Sequence, residues 1–218
     1  MAWCILNSQT PARGDMNIFA ESFAVEDYFM QQARLNGQEV GAVDSTVAVG
    51  NFLKFIAQFS NAKSVVEIGT GSGVGALWLL QGMPADGVLT TIDSEREHSK
   101  ITRNIFEEAD IAVTKYRVIT GKLIEVVGKL ADNAYELVVI RAAVDLFEIV
   151  HESYRLLKPG GLLLIDHVLS GGKVADPTQR DPESIARRDA IKVIKEDDRW
   201  ACTVIPIGAG LLVANKLN

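Results

Sequence analysis

Cysteine is nearly missing from this sequence: Cys4 and Cys202 are the only two in 218 residues. They fall in no CxxC or metal-type spacing. That excludes a disulfide framework and a thiolate metal cluster, and two reduced thiols in a cytoplasmic protein are the expectation. No apolar run approaches the roughly 20 residues that a membrane span needs. The opening "MAWCILN" is too short for the apolar stretch of a secretion signal and lacks its basic start. No Lys/Arg cluster occurs, and the formal net charge is -6, so neither a nucleic-acid surface nor a membrane-binding one is expected. Internal repeats and low-complexity segments are absent as well.

What is present is the balance of a globular protein, 48% apolar and 23% charged, with material for one sizeable core. One domain over 1–218 is expected, a helical lead-in over 1–60 followed by an α/β core over 61–218. Short runs rich in Val, Leu and Ile ("SVVEIG", "GVLTTID", "YRVITG", "YELVVI", "GGLLLIDHVL") alternate with amphipathic stretches such as "SEREHSKITRNIFEEAD" and "VDLFEIVHESYRLL". Runs apolar on both sides read as parallel strands covered by helices on both faces. The expectation is α/β, a doubly wound and mostly parallel sheet of Rossmann-like type. "WACTVIPI" and "GLLVANKL", separated by Gly208–Gly210, read as a terminal antiparallel hairpin. In the lead-in, "MNIFAESFAVEDYFMQQARL" and "STVAVGNFLKFIAQFS" read as helices.

The densest signal is "SVVEIGTGSGVGALWLL", with Gly69, Gly71, Gly73 and Gly75 inside seven positions. A strand, a glycine turn and a helix bring backbone N–H groups and a positive helix end to one point. Residues 71–76 fit G-x-G-x-x-A, and Asp93 follows Gly73 by 20 positions, which also fits a dinucleotide fingerprint. Glu67 argues the other way, because a carboxylate beside the turn repels a pyrophosphate. It suits a ligand with a cationic amino group and no phosphate, such as S-adenosylmethionine. Asp93 ends the next strand, where a carboxylate accepts hydrogen bonds from ribose hydroxyls.

From "VVEIGTGSG", "LTTID", "YELVVI", "LLKPGGLLLIDHVL" and "GGKVADP", the chain from about Ser45 onward resembles the S-adenosylmethionine-dependent O-methyltransferases of the catechol and caffeoyl-CoA type, the small bacterial members above all. The resemblance implies that fold, methyl transfer to oxygen of a small hydroxylated or phenolic acceptor, and a homodimer. Carried over by position, Glu67 sits near the methionine–ribose end of the cofactor. Gly69 and Thr70 pass beneath it, Asp93 holds the ribose, and Ser94 lies beside the adenine, with Ser45, Gly71, Gly73 and Gly75 completing the cofactor-binding set. Two positions depart: Gly75 stands where the family commonly has a carboxylate-binding serine, and Ser45 where it has a valine.

Catalytic positions depart further. The family's metal-binding aspartate is replaced by Arg141, Val144 stands at its lysine position, and its later D-N pair reads Asp166-His167. An arginine cannot be neutralised and repels a divalent cation, so no metal is expected and an Arg141–Asp166 ion pair is expected in its place. His167 is then the candidate general base, since imidazole titrates near neutrality, or else a residue that merely caps a strand. Arg141 is the candidate anchor for an anionic acceptor. "GGKVADPTQRDPES" reads as a lid or as an ordinary connection. His98 and His151 read as surface positions, and Trp78 and Trp200 as packing residues. Two alternatives stand beside the transferase: a protein that binds S-adenosylmethionine without turnover, and a nicotinamide-dependent oxidoreductase.

Overall fold

Val, Leu and Ile runs bounded by glycine and charged residues become strands here, and the amphipathic stretches between them become helices, in a computed structural model that describes residues 13–217. Cys4 and residues 1–7 lie outside the described residues. The lead-in forms α1 (Arg13–Ser22), α2 (Tyr28–Glu39) and α3 (Val47–Phe59). Asp27 caps α2 by accepting from the Met30 amide at 2.9 Å, the side-chain device that starts a helix where the backbone leaves its donors free. Residues 23–27 interrupt the helix expected to run through "ESFAVED".

The core continues as β1 (Ser64–Ile68), α4 (Val74–Gly82), β2 (Val88–Asp93), α5 (Arg96–Glu108), β3 (Tyr116–Thr120), α6 (Leu123–Val127) and β4 (Tyr135–Ile140). It closes with α7 (Leu146–Leu156), β5 (Leu157–Ile165), α8 (Pro182–Glu196), β6 (Trp200–Ile205) and β7 (Leu211–Lys216). One seven-stranded sheet results, in the order β3-β2-β1-β4-β5-β7-β6. The first five strands run parallel, and β7 pairs antiparallel with both β5 and β6. The doubly wound sheet and its terminal hairpin are thus as expected. Helices α2 to α5 cover one face around Met30, Leu53, Leu79 and Phe106. Helices α6 to α8 cover the other around Leu123, Ile149 and Ile194. Among the described residues no helix is long and apolar enough to cross a membrane.

One strand departs from the sequence pattern. "GGLLLIDHVL" was expected to continue through Leu169, but β5 starts earlier, at Leu157, and stops at Ile165. His167 adopts a left-handed φ of 58°, and the amides of Val168 and Leu169 donate to Gly210 O and Ala209 O at 2.9 and 3.0 Å. The segment is apolar because it packs on the hairpin loop, not because it extends the strand.

Helix α4 is apolar nearly all round and buried on nearly all sides, as expected of a helix enclosed between a sheet and a second helix layer. Trp78 is buried, and its ring lies directly over Gly50 of α3, so a Cβ at residue 50 would collide with it. Trp78 therefore packs on the helix layer. This contact seats α4, and so the glycine turn that starts it, against the lead-in. Gly50→Ala is expected to lower stability by about 1–3 kcal/mol through overpacking, read as a lower denaturant midpoint at unchanged m-value.

Candidate functional site

The glycine turn occupies the carboxyl end of β1, the middle one of the five parallel strands, where an open α/β sheet collects its ligands. Gly69, Gly71 and Gly73 all have left-handed φ, at 94°, 59° and 95°, which a side chain would strain. Asp93, at the end of β2, fixes the turn from the other side. Its Oδ2 accepts from the Gly71 amide and its Oδ1 from the Glu95 amide, both at 2.9 Å. A cleft of about 390 Å³ lies between the turn and this carboxylate, walled by Gly69, Gly71, Asp93, Ser94, His98 and Arg141 and closed on one side by the 142–145 loop. That size and concavity suit a small-molecule site. His98, expected on the surface, faces the cleft instead, with Nδ1 3.3 Å from Asp93 Oδ1.

Arg141 closes the inner end. Its guanidinium donates from Nη1 to Gly69 O at 3.2 Å and Thr70 O at 2.9 Å, and from Nη2 to Val43 O at 2.6 Å. Three carboxylates surround it without a hydrogen bond: Asp44 at 3.7 Å, Glu67 at 3.8 Å and Asp166 at 3.9 Å. The expected Arg141–Asp166 proximity is present, but Asp166 is one of three counter-charges and not an exclusive partner. The directed bonds go to main-chain carbonyls, and Nε alone lacks a partner. A guanidinium in the midst of the acidic groups does not fit a divalent cation. Among the described residues no three His, Cys, Asp or Glu side chains are arranged to hold a metal ion.

Glu67 does not reach the cleft. It is wholly buried and lies beneath α4, where a Cβ on Gly75 would run into its Oε1. Gly75, the departure from the family serine, thus makes room for this carboxyl. Thr91 donates to Glu67 Oε2 at 2.6 Å. Having spent its only hydrogen, Thr91 must accept from Thr70, also at 2.6 Å. Burial is the main influence on Glu67 and lifts its pKa to about 7; Arg141 and Thr91 oppose the rise, and Asp44 and Asp93 add to it.

Asp166 behaves differently. Burial again pushes its carboxyl up, but His167, Arg141 and Ser45 outweigh that and hold it below the usual carboxylate range. Ser45 donates to its Oδ2 at 2.6 Å, and His167 Nδ1 lies 3.2 Å from the same oxygen. The three proposed catalytic residues are therefore brought together, but only Arg141 walls the cleft. Ser45 sits behind it with Asp166, and Thr70, Gly73 and Gly75 shape the turn without lining it.

Two further residues carried no sequence signal. Asp44 accepts from the Ser72 amide at 3.0 Å and from Ser72 Oγ at 2.6 Å, a contact between segments 28 positions apart. Arg188, on α8, binds four carbonyls of the loop after β5: Lys173, Val174, Asp176 and Gln179. The stretch read as a lid is thereby fastened to the body.

Comparison with known proteins agrees with the fold. A family model described as O-methyltransferase matches residues 21–217. A protein of Mycobacteroides abscessus named as an O-methyltransferase is 43% identical over 198 residues, covering 90% of this chain and 92% of its own length. A Corynebacterium glutamicum crystal structure is similar with a TM-score of 0.87 at 28% identity, covering 95% of this chain and 98% of that one. The O-methyltransferase TomG of Streptomyces achromogenes, involved in tomaymycin synthesis and solved with S-adenosylmethionine, gives a TM-score of 0.83 at 24% identity, over 94% and 96% of the two chains.

Because the folded-state pKa of Glu67 is raised, its contribution to stability is complete below about pH 4.5 and is lost as pH rises through about 7. Glu67→Gln cannot titrate. Relative to wild type it is expected to gain stability from pH 4.5 to 7, on the order of 3 kcal/mol in total, and nothing above that window. Denaturant titrations at several pH values read the difference, and a flat difference would refute the burial argument.

Proposed function

This chain belongs to the O-methyltransferase family, and on that premise we propose that its cleft binds S-adenosylmethionine and serves methyl transfer to a small hydroxylated or phenolic acceptor without a divalent metal. The single observation that carries the cofactor reading is the cleft between the glycine turn and Asp93. A carboxylate at the end of β2, holding the turn through the Gly71 amide, has acceptor capacity left for a ribose diol and is the wrong charge for a phosphate. Arg141 supports the metal-free reading, since its guanidinium takes the centre of the acidic cluster. The cofactor supplies an electrophilic methyl group. The protein's part is to align it with the acceptor oxygen, which accounts for much of the acceleration of such a displacement.

In this reading His167 removes the acceptor proton, with Asp166 orienting its ring through Nδ1. Ser94 lies beside the adenine of the cofactor, and His98 steadies Asp93. The orientation of Arg141 toward carbonyls favours a second reading, binding without turnover, because no free guanidinium face remains for an acceptor. The chain acts as one domain. A cytoplasmic location belongs to the same proposal, supported by the scarcity of cysteine.

A homodimer is also proposed. Its support is an apolar groove of about 550 Å³ between α1 and α3, walled by Phe19, Phe23, Phe52 and Phe55. Phe19 and Phe55 stay 71% and 56% exposed, more than a monomer surface ordinarily leaves in one patch. Phe55→Glu is expected to halve the mass measured by sedimentation equilibrium; an unchanged mass would place the interface elsewhere or remove it.

The function is tested with labelled S-adenosylmethionine, a panel of phenols and catechols, and excess EDTA. The expected outcome is S-adenosylhomocysteine formation unaffected by the chelator and reduced about 10²-fold or more in His167→Ala. Activity abolished by EDTA would overturn the metal-free reading. Tight S-adenosylhomocysteine binding with no turnover would favour the second reading, and binding of NAD in its place would overturn both.

A further inference from the structure

We infer that Arg141 and Asp44 occupy the recess in which the amino-acid end of an adenosyl cofactor would otherwise sit. The nucleoside thioether is then the part of the ligand that this cleft holds, and the amino-acid tail enters only by displacing the pair. The inference rests on the cofactor reading above and concerns how the same cleft divides its ligand.

An α-amino acid is a zwitterion, so a recess for it needs carbonyl acceptors for the ammonium and N–H or O–H donors for the carboxylate. Both kinds lie just behind the inner wall that Gly69, Gly71 and Arg141 give the cleft, and both are already used. Gly69 O and Thr70 O accept from Arg141, an internal cation. The Ser72 amide and hydroxyl, at the start of α4, donate to Asp44, an internal anion. A helix start favours such a negative group. The two side chains are each only 3% exposed and stand 3.7 Å apart, the spacing of a charge pair.

Position 71 explains how the pair fits. A Cβ there would lie 2.8 Å from Asp44 Oδ1 and 3.2 Å from Arg141 Nη1, so only glycine leaves both in place. The short strap that carries Asp44 is fastened on either side of it. Val43 O accepts from Arg141, and Ser45 O accepts from Arg34 at 2.8 Å while its hydroxyl binds Asp166. Displacing Asp44 therefore disturbs a bonded strap and not a loose side chain. The outer end, with Ser94, Lys122 and Leu123, carries no such internal occupant and is open to a nucleoside.

Calorimetry with S-adenosylhomocysteine and 5′-methylthioadenosine, which lacks the amino acid, tests this on the whole protein. Wild type is expected to bind the two with affinities within about tenfold. In Asp44→Ala, S-adenosylhomocysteine is expected to tighten by about tenfold, the factor lost when a recess is open about a tenth of the time. Methylthioadenosine is the reference ligand against which the change in preference is read, and an unchanged circular dichroism spectrum reports that the variant is folded. Asp44→Asn, which keeps the shape and drops the charge, is the second variant and is expected to move the same way. An unchanged or reduced preference for S-adenosylhomocysteine in both variants overturns the inference and leaves the cofactor reading standing. Failure of folded wild type to bind either nucleoside overturns that reading, and this inference with it.

Discussion

A buried cation answered by main-chain carbonyls is the constraint from which the rest of this site follows. Arg141 leaves β4 and reaches Gly69 and Thr70 on the turn and Val43 on the strap before α3. One side chain thereby ties together three segments that are distant in sequence. The three carboxylates around it give it charge compensation at 3.7 to 3.9 Å, too long for directed bonds but close enough to matter in a poorly solvated interior. Removing the guanidinium would leave three acceptors and several acidic groups buried without an answer, the costly half of breaking any buried pair.

The acidic groups respond to that arrangement unequally. Asp166 has a serine, an imidazole and a guanidinium within reach and stays ionised. Glu67 has one hydroxyl and the same guanidinium at a similar distance but no imidazole, and its Oε1 has no partner. Near neutrality it is the member of the cluster that takes up a proton. Two similar side chains beside the same arginine thus differ because of who donates to them and how fully they are buried.

Much of the fold was legible in the sequence, because strands covered on both faces are apolar without alternation and the hairpin carries its own glycine punctuation. The turn and Asp93 were legible for the same reason: their geometry is local. Glu67 was misjudged on direction. Alternation along β1 puts it on the face of Val65, which α4 covers, and so behind the turn. Asp44 and the true partners of Arg141 left no trace, since one depends on a distant serine and the others are backbone atoms. The apparent length of β5 misled because Val168 and Leu169 are apolar for packing on the hairpin loop.

The sheet order carries a consequence for folding. β6 precedes β7 in the chain, yet β7 lies between it and β5 and is, among the described residues, the only strand to which β6 pairs. β6 therefore joins the body only through β7, and the outer edge of β5 stays unpaired until the hairpin docks on it. An unpaired edge of that kind recruits other chains. Docking of the hairpin is thus the step that closes this side of the sheet to association.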